Sequence, residues 1–279
     1  MQRNLVLLGP GLGWLALLLV IPCSLIFVLS FFQRGDYGGI TWTFTLDNYL
    51  RAMEPLYVRI MVRSLRIAGL ATLIALLVGY PAAYAIARAR RDRQMTLLIL
   101  AILPFWSNYL IRTYSWMVLL NREGLINNAL EAGGVISQPL PLLYNEFAII
   151  LGLVYAYLPF MILALYASIS RLPGDLLEAS SDLGASGLRT FVRIVLPLTL
   201  PGIAAGCVFV FVLSLGNFVT PDLLGGKQTT MIGNVIYAQF FTARDWPFGS
   251  ALAFVLVAVM MALLMAQAIL VRRQTSEAS

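Results

Sequence analysis

The sequence predicts an all-α membrane protein with six transmembrane helices. Of its 279 residues, 60% are hydrophobic and only 11% are charged, and the mean hydropathy is +0.84. A water-soluble globule of this length is rarely so apolar. The charged residues also fall between long uncharged stretches, each of which can cross the roughly 30 Å of hydrocarbon in a bilayer. Composition and charge pattern therefore agree on a membrane-embedded helical bundle.

Five stretches without Asp, Glu, Lys or Arg predict the first, second, fourth, fifth and sixth spans. The remaining span contains Arg112, which we expect to snorkel towards one interface. We treat residues 1–279 as a single transmembrane domain. The expected spans are residues 5–32, 67–87, 95–120, 147–170, 198–221 and 248–271.

The short loops predict the orientation of the bundle. Arg88, Arg90, Arg91 and Arg93 crowd the connection between the second and third spans. Because short basic loops face the cytoplasm, six spans place both termini in the cytoplasm as well. The pI of about 9.5 arises from charge spread along the membrane borders, not from one basic face, so we expect no nucleic-acid partner.

Metal and intramembrane enzyme chemistry are poorly supported. The chain has no histidine, and no paired acids lie within its spans. Its two cysteines, Cys23 and Cys207, both lie in apolar spans, where buried thiols are expected and a disulfide is not. We expect this chain to hold no metal.

A polar segment between the fourth and fifth spans predicts two short helices, at about residues 172–196. Asp175 and Glu178 have the spacing of a capping box that starts the first helix. Gly184 can adopt the left-handed conformation that ends it, and Ser186 can cap the second helix. The sequence therefore predicts a helix, a tight turn and a helix.

The second of these helices is predicted to be amphipathic. Arg189 and Arg193 lie one turn apart on its polar face. Pro197 and Pro201 are expected to bend or restart the chain as it enters the fifth span. The apolar stripe has the i, i+3, i+4, i+7 spacing and consists of Leu188, Phe191, Val192 and Val195.

Six positions of this segment match the E-A-A, x3, G, x9, I-x-L-P signature of ABC importer permeases. They are Glu178, Ala179, Gly184, Ile194, Leu196 and Pro197. Ser180 replaces the second alanine, a change from one small residue to another. Six further stretches resemble the spermidine/putrescine (PotB-type) permease family, and they are residues 44–49, 103–114, 152–161, 197–207, 222–236 and 244–252.

The resemblance implies the type I ABC importer permease fold and names its partners. These are two cytoplasmic ATPase subunits, a second related permease subunit and an extracytoplasmic solute-binding protein, assembled in the bacterial inner membrane. The polar segment would then be the coupling helices that dock on an ATPase. The coupling residues implied are Glu178, Ala179, Ser180, Asp182, Gly184, Arg189, Ile194, Leu196 and Pro197.

We expect no ATP hydrolysis and no bound cofactor in this chain. The phosphate-binding pattern G-x-x-x-x-G-K-[ST] is missing from the sequence, and GGKQ at residues 225–228 lacks the final Ser or Thr. ATP and Mg²⁺ would bind to the partner subunits.

The solute pathway is predicted from polar and aromatic residues, because no acid lies near the centre of a span. Such residues offer weak cation-π and polar contacts, although aromatic residues also pack bundles and form interfacial belts. Pro81, Pro104 and Pro159 are expected to interrupt the second, third and fourth spans. The candidates are Trp106, Asn108, Tyr109, Tyr155, Tyr157, Asn217 and Asp222.

Two transport functions remain compatible with the sequence. The resemblance implies a permease that carries polyamines or a related small solute by alternating access. The alternative is a secondary transporter or channel for a small cationic or amino compound. Such carriers often place ionisable residues in the membrane for ion coupling, and here only Arg112 fits that description.

Overall fold

The structure, a computed structural model, describes residues 2–35, 38–226 and 229–277, most of them helical. The helices are α1 (Gln2–Leu29), α2 (Asp47–Ala52), α3 (Pro55–Arg88), α4 (Arg91–Ile102), α5 (Tyr109–Leu120), α6 (Leu125–Ala132), α7 (Glu146–Ile169), α8 (Gly174–Asp182), α9 (Gly187–Thr190), α10 (Leu196–Leu215), α11 (Val219–Leu224), α12 (Ile232–Phe241) and α13 (Trp246–Glu277).

A small β-hairpin departs from the predicted all-α architecture. Strand β1 (Phe32–Arg34) pairs antiparallel with β2 (Ile40–Phe44), and Phe32 lies opposite Phe44. The β2 sequence ITWTF is rich in β-branched and aromatic residues, which favour strands. Hydropathy over span-length windows cannot detect so short an element, which is why the prediction missed it.

Four described helices are long and apolar enough to cross a membrane. They are Pro55–Arg88, Glu146–Ile169, Gly187–Leu215 and Trp246–Met265. Two further helical segments, Arg91–Trp106 and Tyr109–Ala132, are together long and apolar enough to cross a membrane, but the chain bends by 83° between them. Counted as one broken span, they make a fifth. In the region of the first predicted span, the apolar part of α1, Gly13–Leu29, is shorter than these helices.

Two predicted spans are broken. The 95–120 span consists of α4, a 3-10 turn at Leu103–Trp106 that contains Pro104, and α5. The helix of the 198–221 span stops where α10 ends, and three residues separate it from α11. Pro81 and Pro159 lie inside the continuous helices α3 and α7, so the prediction that prolines interrupt three spans is confirmed only at Pro104.

The chain forms two compact units, one of residues 1–61 with 233–261 and the other of residues 62–232 with 262–279. In the first unit, Arg51 donates a hydrogen bond to the buried Asp245 carboxylate at 2.8 Å and covers the Phe248 ring at 3.9 Å. Burial lowers the pKa of Arg51, but the hydrogen bond to Asp245 and the neighbouring Tyr57 outweigh it and leave that pKa above its usual value. This charged contact fastens α2 to the start of α13.

The second unit has a hydrophobic core built by α3, α7 and α10. Helices α7 and α10 approach closely because Gly202 and Gly206 of α10 face Ser168 and Met161 of α7. The buried core residues are Ile67, Ala71, Ala75, Tyr80, Ala83, Ile86, Ile149, Leu153, Val154, Met161, Ile162, Leu165, Ile169, Val210 and Met231.

Both cysteines are free thiols, as predicted. Cys207 is partly buried in α10, whereas Cys23 is exposed on α1. The expectation of a buried thiol is therefore wrong for Cys23, because an apolar span can present its side chains outward.

Candidate functional site

Helix α8 ends in a Schellman motif at Gly184. The Gly184 N–H donates to the Ser181 carbonyl at 2.9 Å, and the Ala185 N–H donates to the Ser180 carbonyl at 3.1 Å. Gly184 has a φ of 72°, in the left-handed region that glycine adopts without a Cβ penalty. This confirms the predicted turn.

The predicted capping box at the start of α8 is wrong. The helix begins one residue before Asp175, its N-cap is Pro173, and no side chain caps it. Asp175 instead lies in the first turn, where a carboxylate interacts favourably with the positive end of the helix dipole.

The second helix begins as predicted but continues differently. The Ser186 hydroxyl accepts a hydrogen bond from the Arg189 N–H at 3.4 Å. After α9 the chain forms a π-helical turn at Phe191–Val195, in which the Leu196 N–H donates to the Phe191 carbonyl. Pro197, which has no N–H, follows directly, so the helix widens at this point and runs on into α10.

We call residues 174–197 the helical hairpin. Its two arms are joined by a hydrogen bond of 2.5 Å between the hydroxyls of Ser180 and Thr190. Ser180 is only 5% exposed, so this bond lies inside the hairpin. The serine that departs from the E-A-A signature is therefore a structural contact between α8 and α9.

The outer surface of the hairpin is apolar at its tip and charged around it. Leu183 is 88% exposed and Leu188 is 75% exposed. Glu178, Asp182 and Arg189 are exposed as well. Large exposed apolar side chains rimmed by charges are typical of protein interaction sites.

Phe191 at the base of the hairpin packs against α3. Its ring meets the Tyr80 ring edge-on at 5.6 Å and the Tyr84 ring at 6.2 Å. The Tyr80 hydroxyl lies 2.8 Å from the Thr199 hydroxyl on α10, and Leu196 packs against the same core. The base of the hairpin therefore contacts α3 directly and is continuous with α10. Of the other signature residues, Ile194 is half-buried, and Ala179 and Pro197 are exposed.

A cavity of about 560 Å³ lies where α5, α7 and the broken end of α10 meet. Tyr109, Tyr157 and Asn217, three of the predicted pathway residues, line it together. The other lining residues are Phe105, Ser107, Arg112, Phe160, Val212, Leu213, Gly216, Phe218 and Val219. Both helix breaks thus open onto one space.

Asn217 organises the polar side of this cavity. Its amide donates to the Tyr109 hydroxyl at 2.5 Å and to the Tyr157 hydroxyl at 2.6 Å. Its carbonyl oxygen accepts from the Thr220 N–H at 2.9 Å, and the Thr220 hydroxyl lies 2.5 Å from that of Tyr109. The network ties α5, α7 and α11 together.

Arg112 is buried, so the prediction that it snorkels to an interface is wrong. It is 8% exposed and donates to the Pro104 carbonyl at 3.1 Å. Its guanidinium carbon lies 5.4 Å from the ring centre of Phe105, 5.7 Å from that of Tyr109 and 5.9 Å from that of Tyr155. The 83° bend turns α5 back on the preceding turn and gives Arg112 these partners.

The remaining pathway candidates lie elsewhere. Trp106 is 76% exposed, Asn108 caps α5 by accepting from the Leu110 N–H at 2.8 Å, and Asp222 is exposed on α11. Tyr155 packs edge-on against Trp116 at 5.4 Å and contacts the cavity only through Arg112.

Sequence reasoning missed Arg112, Thr220 and Phe160 as members of this site. One signal was present: the pairs Ser107-Asn108 and Gly216-Asn217 interrupt otherwise apolar stretches. Such pairs are helix stop and start signals, and they mark both breaks that shape the cavity.

No metal site is found in the part of the chain that the structure describes, where no three His, Cys, Asp or Glu side chains come together. Lys227 and Gln228 of the GGKQ sequence lie outside the described residues.

Comparison with known proteins identifies the family. Residues 135–276 match the model of the "Binding-protein-dependent transport system inner membrane component" family. The chain is 46% identical over 248 residues to the spermidine/putrescine transport system permease protein PotB of Escherichia coli. This alignment covers 89% of this chain and 90% of PotB. It is 44% identical over 252 residues to PotB of Haemophilus influenzae, with 90% and 88% covered.

The fold also matches a solved importer. A bacterial alginate ABC transporter in complex with its alginate-bound periplasmic protein contains a chain that superposes with a TM-score of 0.76 at 19% identity, covering 98% of this chain and 96% of that one. The resemblance implied the fold of an ABC importer permease, and this superposition confirms that fold. The chain belongs to the binding-protein-dependent transport system inner membrane component family.

Proposed function

We propose that this chain is a permease subunit of an ATP-driven uptake system for polyamines such as spermidine and putrescine. The observation that carries the proposal is the 46% identity to PotB over nearly the full length of both chains. The cavity supports it, because Tyr109, Tyr157 and Asn217 offer aromatic faces and polar groups to a small amine without fixing it by a carboxylate.

We further propose six spans with both termini in the cytoplasm of a bacterial cell. In this topology α1 is the first span, and the bent pair of α4 with α5 and α6 is the third. The arginine-rich connection at residues 88–93 and the helical hairpin then face the cytoplasm together, consistent with the positive-inside bias.

The helical hairpin is proposed to dock on an ATPase subunit. Leu183 and Leu188 would enter an apolar cleft of that partner, while Glu178, Asp182 and Arg189 would pair with its rim. Ser180 and Gly184 hold the two arms together, the exposed Ala179 belongs to the docking surface, and Ile194, Leu196 and Pro197 join the hairpin to the fifth span. Two ATPase copies, a second permease subunit and an extracytoplasmic solute-binding protein complete the proposed assembly. The nucleotide and its Mg²⁺ belong to the ATPases.

Alternating access then follows from the connection between hairpin and helices. When the ATPases close, the docked hairpin moves as a unit, because the Schellman turn and the Ser180–Thr190 bond make it stiff. Phe191 pushes on Tyr80 and Tyr84 of α3, and α10 moves through the wide turn at Phe191–Val195. The cavity at the far end of α10 would open and close with this motion.

The docking surface provides the test of coupling. Leu183→Ser should abolish co-purification of the ATPase and ATP-dependent uptake, because it removes an apolar side chain exposed at the tip. Leu125→Ser is the matched control, since Leu125 is a similarly exposed leucine at the start of α6. Normal ATPase binding by the Leu183 variant would contradict the docking proposal.

The solute is tested in proteoliposomes that contain the whole complex. The solute-binding protein loaded with spermidine or putrescine should stimulate ATP hydrolysis, and loading with alginate or methionine should not. Uptake that continues without ATP would instead support a secondary transporter.

A further inference from the structure

Arg112 places a positive charge inside the cavity that the proposed function assigns to a cationic solute. Its guanidinium lies within cation-π distance of Phe105, Tyr109 and Tyr155. Phe105 and Tyr109 also line the cavity. The chain's own cation therefore already uses the aromatic surface that an incoming amine would seek.

The charge of Arg112 is poorly compensated. Its described hydrogen bond runs from Nη1 to the Pro104 carbonyl, and its buried Nε has no hydrogen-bond partner among the residues that the structure describes. The ion pairs found among the described residues are Arg51–Asp245, Arg63–Glu146, Arg66–Glu146 and Arg90–Asp92, and none includes Arg112. Because no carboxylate in the described part of the chain pairs with this buried charge, its positive electrostatic potential is only weakly reduced. That potential extends into the cavity, which Arg112 lines.

We propose that Arg112 is a tethered competitor that weakens the binding of cationic solutes in this cavity and so shortens their stay there. The inference rests on the proposed polyamine function and adds a residue that sets affinity. Two like charges repel more strongly in a low-dielectric site than in water, so an amine that approaches Tyr109 or Tyr157 is destabilised by Arg112. A pathway works only if the solute can leave it again, and weak binding serves that need.

A purely structural role for Arg112 makes different predictions. The bond to Pro104 bridges the 83° bend, so Arg112 could serve only to brace α5 against the preceding turn. In that case neutral substitution would lower thermal stability and uptake together and would not tighten solute binding. The competitor role requires tighter binding, whatever happens to stability.

The test uses the complete complex in nanodiscs, without its solute-binding protein, and measures equilibrium binding of radiolabelled spermidine and putrescine. Arg112→Gln should bind spermidine about ten-fold more tightly than wild type, equivalent to roughly 1.4 kcal/mol. Arg112→Lys keeps the charge and should remain within about two-fold of wild type on the same scale. Uptake by the Gln variant should be slower, because release is slower.

The charge of the solute gives an independent readout. Repulsion scales with charge, so the gain on removing Arg112 must be larger for the triamine spermidine than for the diamine putrescine. Arg112→Met provides a second neutral variant if Arg112→Gln fails to assemble. Equal or weaker binding by an assembled neutral variant, or equal gains for both solutes, would overturn the inference.

The proposed function can fail separately. If wild-type proteoliposomes import neither polyamine, the polyamine function is wrong and the competitor role falls with it. If they import spermidine while the neutral variants bind it as wild type does, only the role of Arg112 is wrong.

Discussion

The hydroxyl of Ser180 lies 2.5 Å from the hydroxyl of Thr190, and this bond joins the two arms of the helical hairpin. The family signature has alanine at the position of Ser180, so close packing alone suffices for the usual hairpin. In this chain a partly buried hydrogen bond adds to that packing. Such a bond resists separation of α8 and α9, which would favour the proposed coupling role of the hairpin.

A double-mutant cycle tests this bond. Ser180→Ala and Thr190→Val should each destabilise the hairpin by about 0.5–1.5 kcal/mol, and the double mutant should cost less than their sum. Hydrogen exchange of the amides of α8 and α9 measures the opening free energy. Ser181→Ala is the control, because the described bond of the Ser181 hydroxyl is to the Leu177 carbonyl on the exposed side of the same helix. Strictly additive effects would show that the two hydroxyls do not interact.

Two substitutions at Gly184 distinguish the effect of backbone strain from the effect of surface charge. A Cβ added at Gly184 meets open space, so the cost of a side chain arises from its φ of 72° and not from a clash. Asn and Asp have the same shape and both tolerate this conformation better than other side chains. Gly184→Asn should therefore retain most ATP-dependent uptake, whereas Gly184→Asp should abolish it by placing a charge between Leu183 and Leu188. Both variants should reach the membrane in normal amounts on immunoblots. Equal uptake by the two variants would contradict a docking surface at this turn.

The helical hairpin was largely predictable because its turn and its caps depend on residues that are close together in the sequence. The left-handed turn at Gly184 and the helix cap at Ser186 were predicted from the backbone preferences of these residue types, and the structure confirms both. The capping box at Asp175 was wrong because the N-cap is Pro173, two residues before the predicted N-cap Asp175, and two possible starts so close together differ little in energy. The Ser180–Thr190 bond joins residues ten apart and depends on the angle of the turn, which sequence spacing does not specify.

The cavity was predictable only in part. Tyr109, Tyr157 and Asn217 were identified by residue type, but nothing in their spacing showed that they would meet. Their meeting depends on the two helix breaks, and hydropathy reads both regions as uninterrupted spans. Arg112 was placed at an interface because a lone arginine in an apolar helix is costly unless it reaches water. The bend supplies aromatic rings and a carbonyl instead, so tertiary structure overrode the local expectation.

The cavity network predicts unequal effects of two substitutions. Tyr157→Phe removes one acceptor of Asn217, whose amide still donates to Tyr109, and should cost about 1 kcal/mol. Asn217→Ala breaks its bonds to Tyr109, Tyr157 and Thr220, and should cost about 3 kcal/mol. Thermal unfolding of the purified complex measures both. Asn128→Ala is the control, because the side chain of this exposed asparagine has one described hydrogen bond, to the Glu123 carbonyl, and its loss should leave the melting temperature nearly unchanged. A larger loss for Tyr157→Phe would show that Asn217 does not organise the network.

The two glycines of α10 that face α7 should also differ in their tolerance of alanine. At Gly202 the added Cβ would overlap the Ser168 side chain and lie 3.1 Å from the Ala164 carbonyl oxygen, and a helix backbone cannot retreat. At Gly206 it would lie 2.7 Å from the sulfur of Met161, which is flexible and can rotate away. We therefore expect Gly202→Ala to cost about 1–3 kcal/mol and Gly206→Ala less than about 1 kcal/mol.

Gly187→Ala is the matched control for both variants, since nothing lies within 4 Å of a Cβ at Gly187. It should be neutral or slightly stabilising, because alanine favours helix over glycine. Thermal unfolding of the assembled complex ranks the three variants. If Gly202→Ala were as stable as Gly187→Ala, α7 and α10 would have to separate without cost, and the close contact between them would then not help to hold the bundle together. The expected order would instead show that this close contact helps to hold the bundle together, and in the proposed coupling motion it would be the contact against which α10 moves.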